Sequence, residues 1–189
     1  MAEERDFGAI VNLASRLWWE NFGSLLLPSL VFICVVWIPL ANVGFIAGYN
    51  RTILTVARGG KANTGDIFGA WDCFGDLLLY LLGLFVAQFV LGHLPVIGQV
   101  AGFLLAVVTA PGIYGIVDRK MKCIDAFRWS LQIVQADFVN WLLAMLIGSL
   151  FMASGALLLG IGIICTLGWG SLVMALQYDK GDPARVIIL

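Results

Sequence analysis

Apolar residues run along this chain in long blocks broken by short polar stretches, and the lengths of the blocks set the elements. From Phe22 to Ala57 the block is too long for one membrane helix and just long enough for two, since a crossing takes ~20 residues and at least ~17. Pro39 supplies the break, because its fixed φ and missing N–H suit the first turn of a returning helix. This predicts spans over 22–38 and 39–57. The same reasoning, with Pro95 in the place of Pro39, predicts spans over 74–93 and 95–117. A further pair is predicted over 138–159 and 161–177, with Gly160 and Gly162 as the breaker.

Each pair follows a shorter stretch of a different pattern. Phe7, Ile10, Val11, Ala14, Leu17 and Trp18 fall at helical spacing, with Asn12, Ser15, Arg16 and Glu20 opposite, which predicts an amphipathic helix lying at the membrane surface, with a lid packed on the chain's own spans as the alternative. Trp18, Trp19, Trp71 and Trp129 all fall in these lead-ins, where an indole buries its ring and keeps its N–H in a polar layer. The blocks also resemble one another. Phe22-Gly-Ser-Leu-Leu-Leu27 matches Phe74-Gly-Asp-Leu-Leu-Leu79, and Phe138-Val-Asn-Trp-Leu-Leu143 is a looser version. A spacing near sixty residues divides the chain into units 6–60, 66–122 and 125–180. The predicted fold is an all-α integral membrane protein, a single domain over 1–189, with six transmembrane helices in three tandem hairpins, each preceded by an amphipathic interface helix.

Composition agrees with this pattern. The chain is 61% hydrophobic and 12% charged, far from the roughly 45–50% apolar and about 25% charged balance of soluble domains. A net charge of -1 with thinly spread basic residues argues against nucleic acid as a partner. The acidic start, Met-Ala-Glu-Glu-Arg-Asp, lacks the pattern of a cleaved signal, so the first span is expected to direct insertion. Outside the spans, Arg5, Arg16, Arg58, Lys61, Arg119, Lys120, Lys122, Arg128, Lys180 and Arg185 all fall on one side of the six-span layout. The positive-inside rule then predicts a multi-pass protein of the cytoplasmic membrane with both termini cytoplasmic.

Candidate sites are few. Gly44 and Gly48, and Gly98 and Gly102, form small-x-x-x-small pairs that predict close helix packing, within the chain or between copies. Arg51 is the charge placed inside a span and needs a partner; Asp76 and then Glu20 are its expected acids, helped by Asn50, and an anionic lipid headgroup is the alternative. Asp72 is expected to cap the helix at Phe74. Asn42, Asn50, Gln88, Gln99 and Thr109 are the candidate polar lining of a solute path. All 12 acidic residues map to the inner edge of the spans or beyond it, which argues against proton coupling through the bilayer. The cysteines at 34, 73, 123 and 165 are scattered and there is a single histidine, so no metal site and no cofactor are expected. Gly59-Gly-Lys-Ala-Asn-Thr-Gly65 lacks the leading glycine, the strand and the Ser/Thr after Lys61 that a phosphate loop needs.

The lead-in before each pair, the Gly-rich loop leading to Asp66-Ile-Phe68, the turn prolines, and Asp118-Arg-Lys120 before Asp125-Ala-Phe-Arg-Trp-Ser130 resemble prokaryotic six-span membrane proteins of unknown function, the DUF975 and DUF4013 type. They are similar also to the membrane domain of some glycerophosphodiester phosphodiesterases. The resemblance implies a prokaryotic inner-membrane protein, with no assigned reaction and no catalytic residue to carry over. With no converging acid, base and nucleophile, an enzyme is not expected. The expected function is a non-enzymatic scaffold or accessory subunit that binds anionic lipid or a partner protein, a second copy included; the alternative is a pore or carrier for a neutral or lipidic solute, not proton-coupled.

Overall fold

The structure is a computed structural model that describes residues 7–157 and 161–180. Arg5, Arg185, Gly160 and the start of the first unit at Asp6 lie outside the described residues. The described residues form α1 (Phe7–Glu20), α2 (Phe22–Val35), α3 (Ala41–Ala57), α4 (Phe74–Gly92), α5 (Ile97–Arg119), α6 (Cys123–Ala136), α7 (Phe138–Leu157) and α8 (Ile161–Lys180), with no strand among them. Three stretches are long and apolar enough to cross a membrane, those ending in α4, in α5 and within α7. A fourth is reached if α1 and α2, bent by 90° at Asn21, count as one. At 14 and 17 residues, α2 and α3 are ~21 and ~25 Å long, short of a hydrocarbon core of ~30 Å.

The predicted turn prolines stand just outside the helices. Pro39 and Pro95 are each followed by a residue with positive φ, Leu40 at 64° and Val96 at 58°. The next N–H returns to the proline carbonyl, Ala41 to Pro39 at 2.7 Å and Ile97 to Pro95 at 2.6 Å. Helices α3 and α5 therefore start two residues later than expected, because a tight γ-turn has reversed the chain before helical geometry begins.

Burial separates inner from outer helices. In its apolar window α5 is 56% buried, against 11% for the stretch containing α4 and 22% for α7. Helices α3 and α8 are buried along most of their length, whereas α2 buries only Leu25, Pro28 and Ser29. The second helix of each pair is thus the inner one.

The lead-ins pack on these inner helices instead of lying apart from them, and they do so in a cycle: α1 on α8, residues 64–73 on α3, and α6 on α5. On α8, Trp169 donates its indole N–H to the Ser15 hydroxyl at 3.0 Å, while Trp18 donates to the Cys165 carbonyl at 3.0 Å. The Arg16–Glu20 ion pair, 3.1 Å long, accordingly lies beside the first half of α8, so Glu20 is not at the charged end where it was expected. On α3, the lead-in is two short 3-10 turns, Thr64–Phe68 and Trp71–Cys73, where an amphipathic α-helix was expected. Gly48 explains how it fits, since a Cβ there would stand 2.3 Å from the Ile67 carbonyl oxygen, and at Gly44 it would meet the Trp71 ring at 2.8 Å. This pair of small residues takes in a loop and an indole, not a second helix as predicted. Gly98 and Gly102 face α4, where a Cβ would meet the Leu91 carbonyl oxygen and the Gln88 side chain at 2.5 Å for Gly102.

On α5, the contact repairs a break. Pro111 interrupts the helix ladder, and the Ser130 hydroxyl inserts there, accepting from the Gly112 N–H at 3.1 Å and donating to the Val108 carbonyl at 2.6 Å. The Tyr80 hydroxyl donates to the Thr109 carbonyl at 2.8 Å in the same opening. Residues 48, 108 and 169, where the lead-ins touch, each stand ten before residues 58, 118 and 179, or ~15 Å along a helix.

Two substitutions test this docking by thermal unfolding of the purified chain. Ser130→Ala is expected to cost about 1–3 kcal/mol by orphaning two backbone groups, while Ser149→Ala, at an exposed serine bonded within its own helix, is expected to be neutral. Gly48→Ala is expected to cost about 1–3 kcal/mol because backbone must move, whereas Gly83→Ala, with open space around it, is expected to be harmless or slightly stabilising.

Candidate functional site at the charged helix ends

The inner helices end together in a network of charge. Arg58 caps α3, while Asp118 and Asp179 are the penultimate residues of α5 and α8. The Arg58 guanidinium donates to both oxygens of Asp179 at 3.0 and 2.8 Å and to both oxygens of Asp118 at 2.9 and 3.0 Å. Its side chain is 33% exposed, against 2% for Asp179 and 12% for Asp118. Burial works against the Arg58 charge, but the hydrogen bond to Asp118 and the attraction of Asp179 outweigh it and hold the guanidinium above its ordinary value. Buried Tyr178 donates its hydroxyl to Asp118 Oδ2 at 2.8 Å and accepts from Arg119 Nε at 3.2 Å. Burial first, and the Asp118 charge second, push the phenol pKa up, so it remains a neutral donor. Arg119 also lies 4.7 Å from the centre of the Trp129 ring, tying α6 into the same end.

A second cluster sits one side of the first. Arg51, two turns before Arg58 on α3, donates through Nη2 to Asp72 Oδ1 at 2.6 Å and to the Val117 carbonyl at 3.4 Å. The Lys120 ammonium meets the other Asp72 oxygen. Between the clusters is an open cleft of about 490 Å³, lined by Arg51, Thr55, Arg58, Asp66, Asp118 and Lys120 above an apolar floor of Leu54 and Val117.

The acid that meets Arg51 is therefore Asp72, not Asp76 or Glu20. The lead-in runs back along α3 and brings Asp72 to Arg51. Asp76 stands in the first turn of α4, where its Oδ1 accepts the Cys123 backbone N–H at 3.1 Å and holds the start of α6. Asp72 makes no helix cap, since the first turn of α4 has no side-chain cap. Asn50 turns to its own helix and donates to the Ile46 carbonyl at 2.8 Å. The candidate lining residues do not converge either: Gln88 donates to the Gly102 carbonyl at 2.8 Å, Thr109 to the Leu105 carbonyl at 2.7 Å, Gln99 is exposed and Asn42 half-buried. A polar side chain in an apolar helix satisfies itself on the nearest carbonyl. Among the described residues no group of His, Cys, Asp and Glu is arranged to hold a metal ion.

Sequence reasoning passed over Arg58, Asp118 and Asp179, treating them as loop charges that orient the chain. A signal was present. Arg58 and Asp118 are 60 residues apart and Arg58 and Asp179 are 121 apart, leaving 61 between the acids, so all three keep the period that divides the chain into units.

Arg58→Met is expected to lower stability by about 3 kcal/mol, since it strips a guanidinium from two carboxylates, one of them almost wholly buried. Tyr178→Phe is expected to cost about 1.5–3 kcal/mol, a hydroxyl bonded to a charged group being removed. Thermal unfolding that left either variant level with the parent chain would refute this role. No family model, curated protein or solved structure matches the chain, so the likeness to six-span proteins is carried by the quoted residues alone.

Proposed function

We propose that this chain is a six-span protein of the prokaryotic inner membrane, with three hairpins and both termini cytoplasmic, and that it serves as a non-enzymatic scaffold or accessory subunit holding lipid or a partner protein at its cytoplasmic end. The supporting observation is where the charge lies. Arg58, Arg119, Lys120 and Lys180 stand at the converging ends of α3, α5 and α8, while the turns at 36–40 and 93–96 contain no Lys or Arg. The outward residues of α4, among them Leu79, Phe85, Val86 and Phe89, are more than half exposed, as lipid contact requires. The short α2 is accommodated where a bilayer thins around it. At the charged end Asp72, Asp76, Asp118 and Asp179 are engaged by cations, a hydroxyl or a backbone amide, an arrangement that binds elements together.

Orientation is tested by single cysteines in a cysteine-free background. A label at Asn63 is expected to react only from the cytoplasmic side and one at Leu94 only from outside; reaction of Asn63 from outside in intact cells overturns the topology. The scaffold reading is tested in proteoliposomes and by native mass measurement of the chain taken from its own membrane. Co-purification of a stoichiometric protein or lipid is expected, with no solute uptake driven by an imposed pH gradient. Uptake that followed the gradient would count decisively against it.

A further inference from the structure

We infer that the cleft between α3, the Asp66–Asp72 lead-in and the end of α5 binds the phosphate of an anionic phospholipid headgroup, with Arg51 and Lys120 as its ligands and the Asp72 carboxylate occupying their fork when no phosphate is present. The inference rests on the scaffold reading and names what that end of the molecule holds.

The three other charged residues that line the cleft are already engaged. Arg58 spends its donors on Asp118 and Asp179, and Asp118 has both oxygens taken, by Arg58 and by Tyr178. Asp66 accepts from Asn63 Nδ2 at 3.2 Å. Arg51 and Lys120 differ. Among the described residues the Arg51 side chain bonds through Nη2, and Nε and Nη1 make no hydrogen bond; each forms an edge with Nη2, so an anion that displaces Asp72 meets a guanidinium edge that suits two phosphate oxygens. The Lys120 ammonium, half exposed, has three donors and shares one carboxylate with Arg51. Two cations thus meet one acid, and that acid is itself 51% exposed.

A second observation comes from the backbone. Lys120 ends α5 with φ 56° and ψ 34°, a left-handed position that glycine or asparagine fills at lower cost. A lysine here is a local strain placed beside the cleft, and it carries an ammonium to the exact side where Arg51 emerges. The lipid source follows from the surroundings. The floor of the cleft is Leu54 and Val117, and its walls are the ends of two apolar helices, so a phosphate bound there has acyl chains within reach of the outer helices.

The test uses the full chain in a neutral detergent, titrated with phosphatidylglycerol, phosphatidylcholine or inorganic phosphate and read by native mass spectrometry and thermal unfolding. The parent chain is expected to retain phosphatidylglycerol in preference to phosphatidylcholine. Lys120→Gly is expected to weaken that retention about fivefold while unfolding at the same or a higher temperature, since it removes the ammonium and relieves the backbone. Arg51→Gln is expected to weaken it about tenfold. Asp72→Asn is expected to strengthen it about fivefold by withdrawing the competing carboxylate, a gain that a purely structural ion pair does not produce. Equal retention of the two lipids with protection by millimolar inorganic phosphate overturns the lipid assignment in favour of a soluble anion. Unchanged retention in all three variants overturns the site itself. Either failure leaves the scaffold reading standing if a protein partner still co-purifies, and loss of both the lipid preference and any partner removes the two together.

Discussion

The arrangement of the inner helices depends on one guanidinium. Asp118 and Asp179 approach each other from the ends of α5 and α8, and two carboxylates brought together in a poorly hydrated place repel. Arg58 makes the approach favourable by engaging all four of their oxygens, and its planar fork does so only when α3, α5 and α8 stop at the same level. Depth, register and the identity of the inner helices follow from that requirement. A lysine in its place would satisfy one carboxylate at a time and leave the register looser.

Around this interlock the lead-ins close a cycle, each lying on the inner helix of a different unit. Their contacts fall at one distance from the charged ends, and the means differ at each: a glycine that admits a backbone turn, a serine that mends a proline break, and an indole bonded to a hydroxyl. Between helices apolar enough to face lipid, burying apolar side chains gains little, and backbone approach and internal hydrogen bonds are what remain to hold elements together. That explains why a small residue or a bonded hydroxyl occupies each of the three places.

The same logic places the cleft. Arg58 belongs wholly to the interlock, and Arg51, two turns earlier, is displaced toward the lead-in and finds Asp72. The strained Lys120 sits where α5 has to end at Asp118's level and the chain has to turn at once into α6. The interlock and the proposed binding cleft therefore share a boundary, and charge that holds helices stands beside charge that has donors to spare.

The amino-acid sequence by itself determined the helical class and the places of the apolar helices to within a few residues, because apolar block length acts locally along the chain. It also held the near-sixty-residue spacing of Arg58, Asp118 and Asp179, although spacing alone does not say which charges meet. Tertiary structure decided the partners. Asp72 and Asp76 differ by one helical turn in sequence, and only the path of residues 64–73 back along α3 sends the first to Arg51 and the second to the start of α6. Gly44 and Gly48 read as a helix-packing pair, yet what they admit depends on the neighbouring loop. Side-chain pairing across units is set by the direction in which each lead-in leaves its helix, and that direction is fixed by packing between segments far apart in the chain.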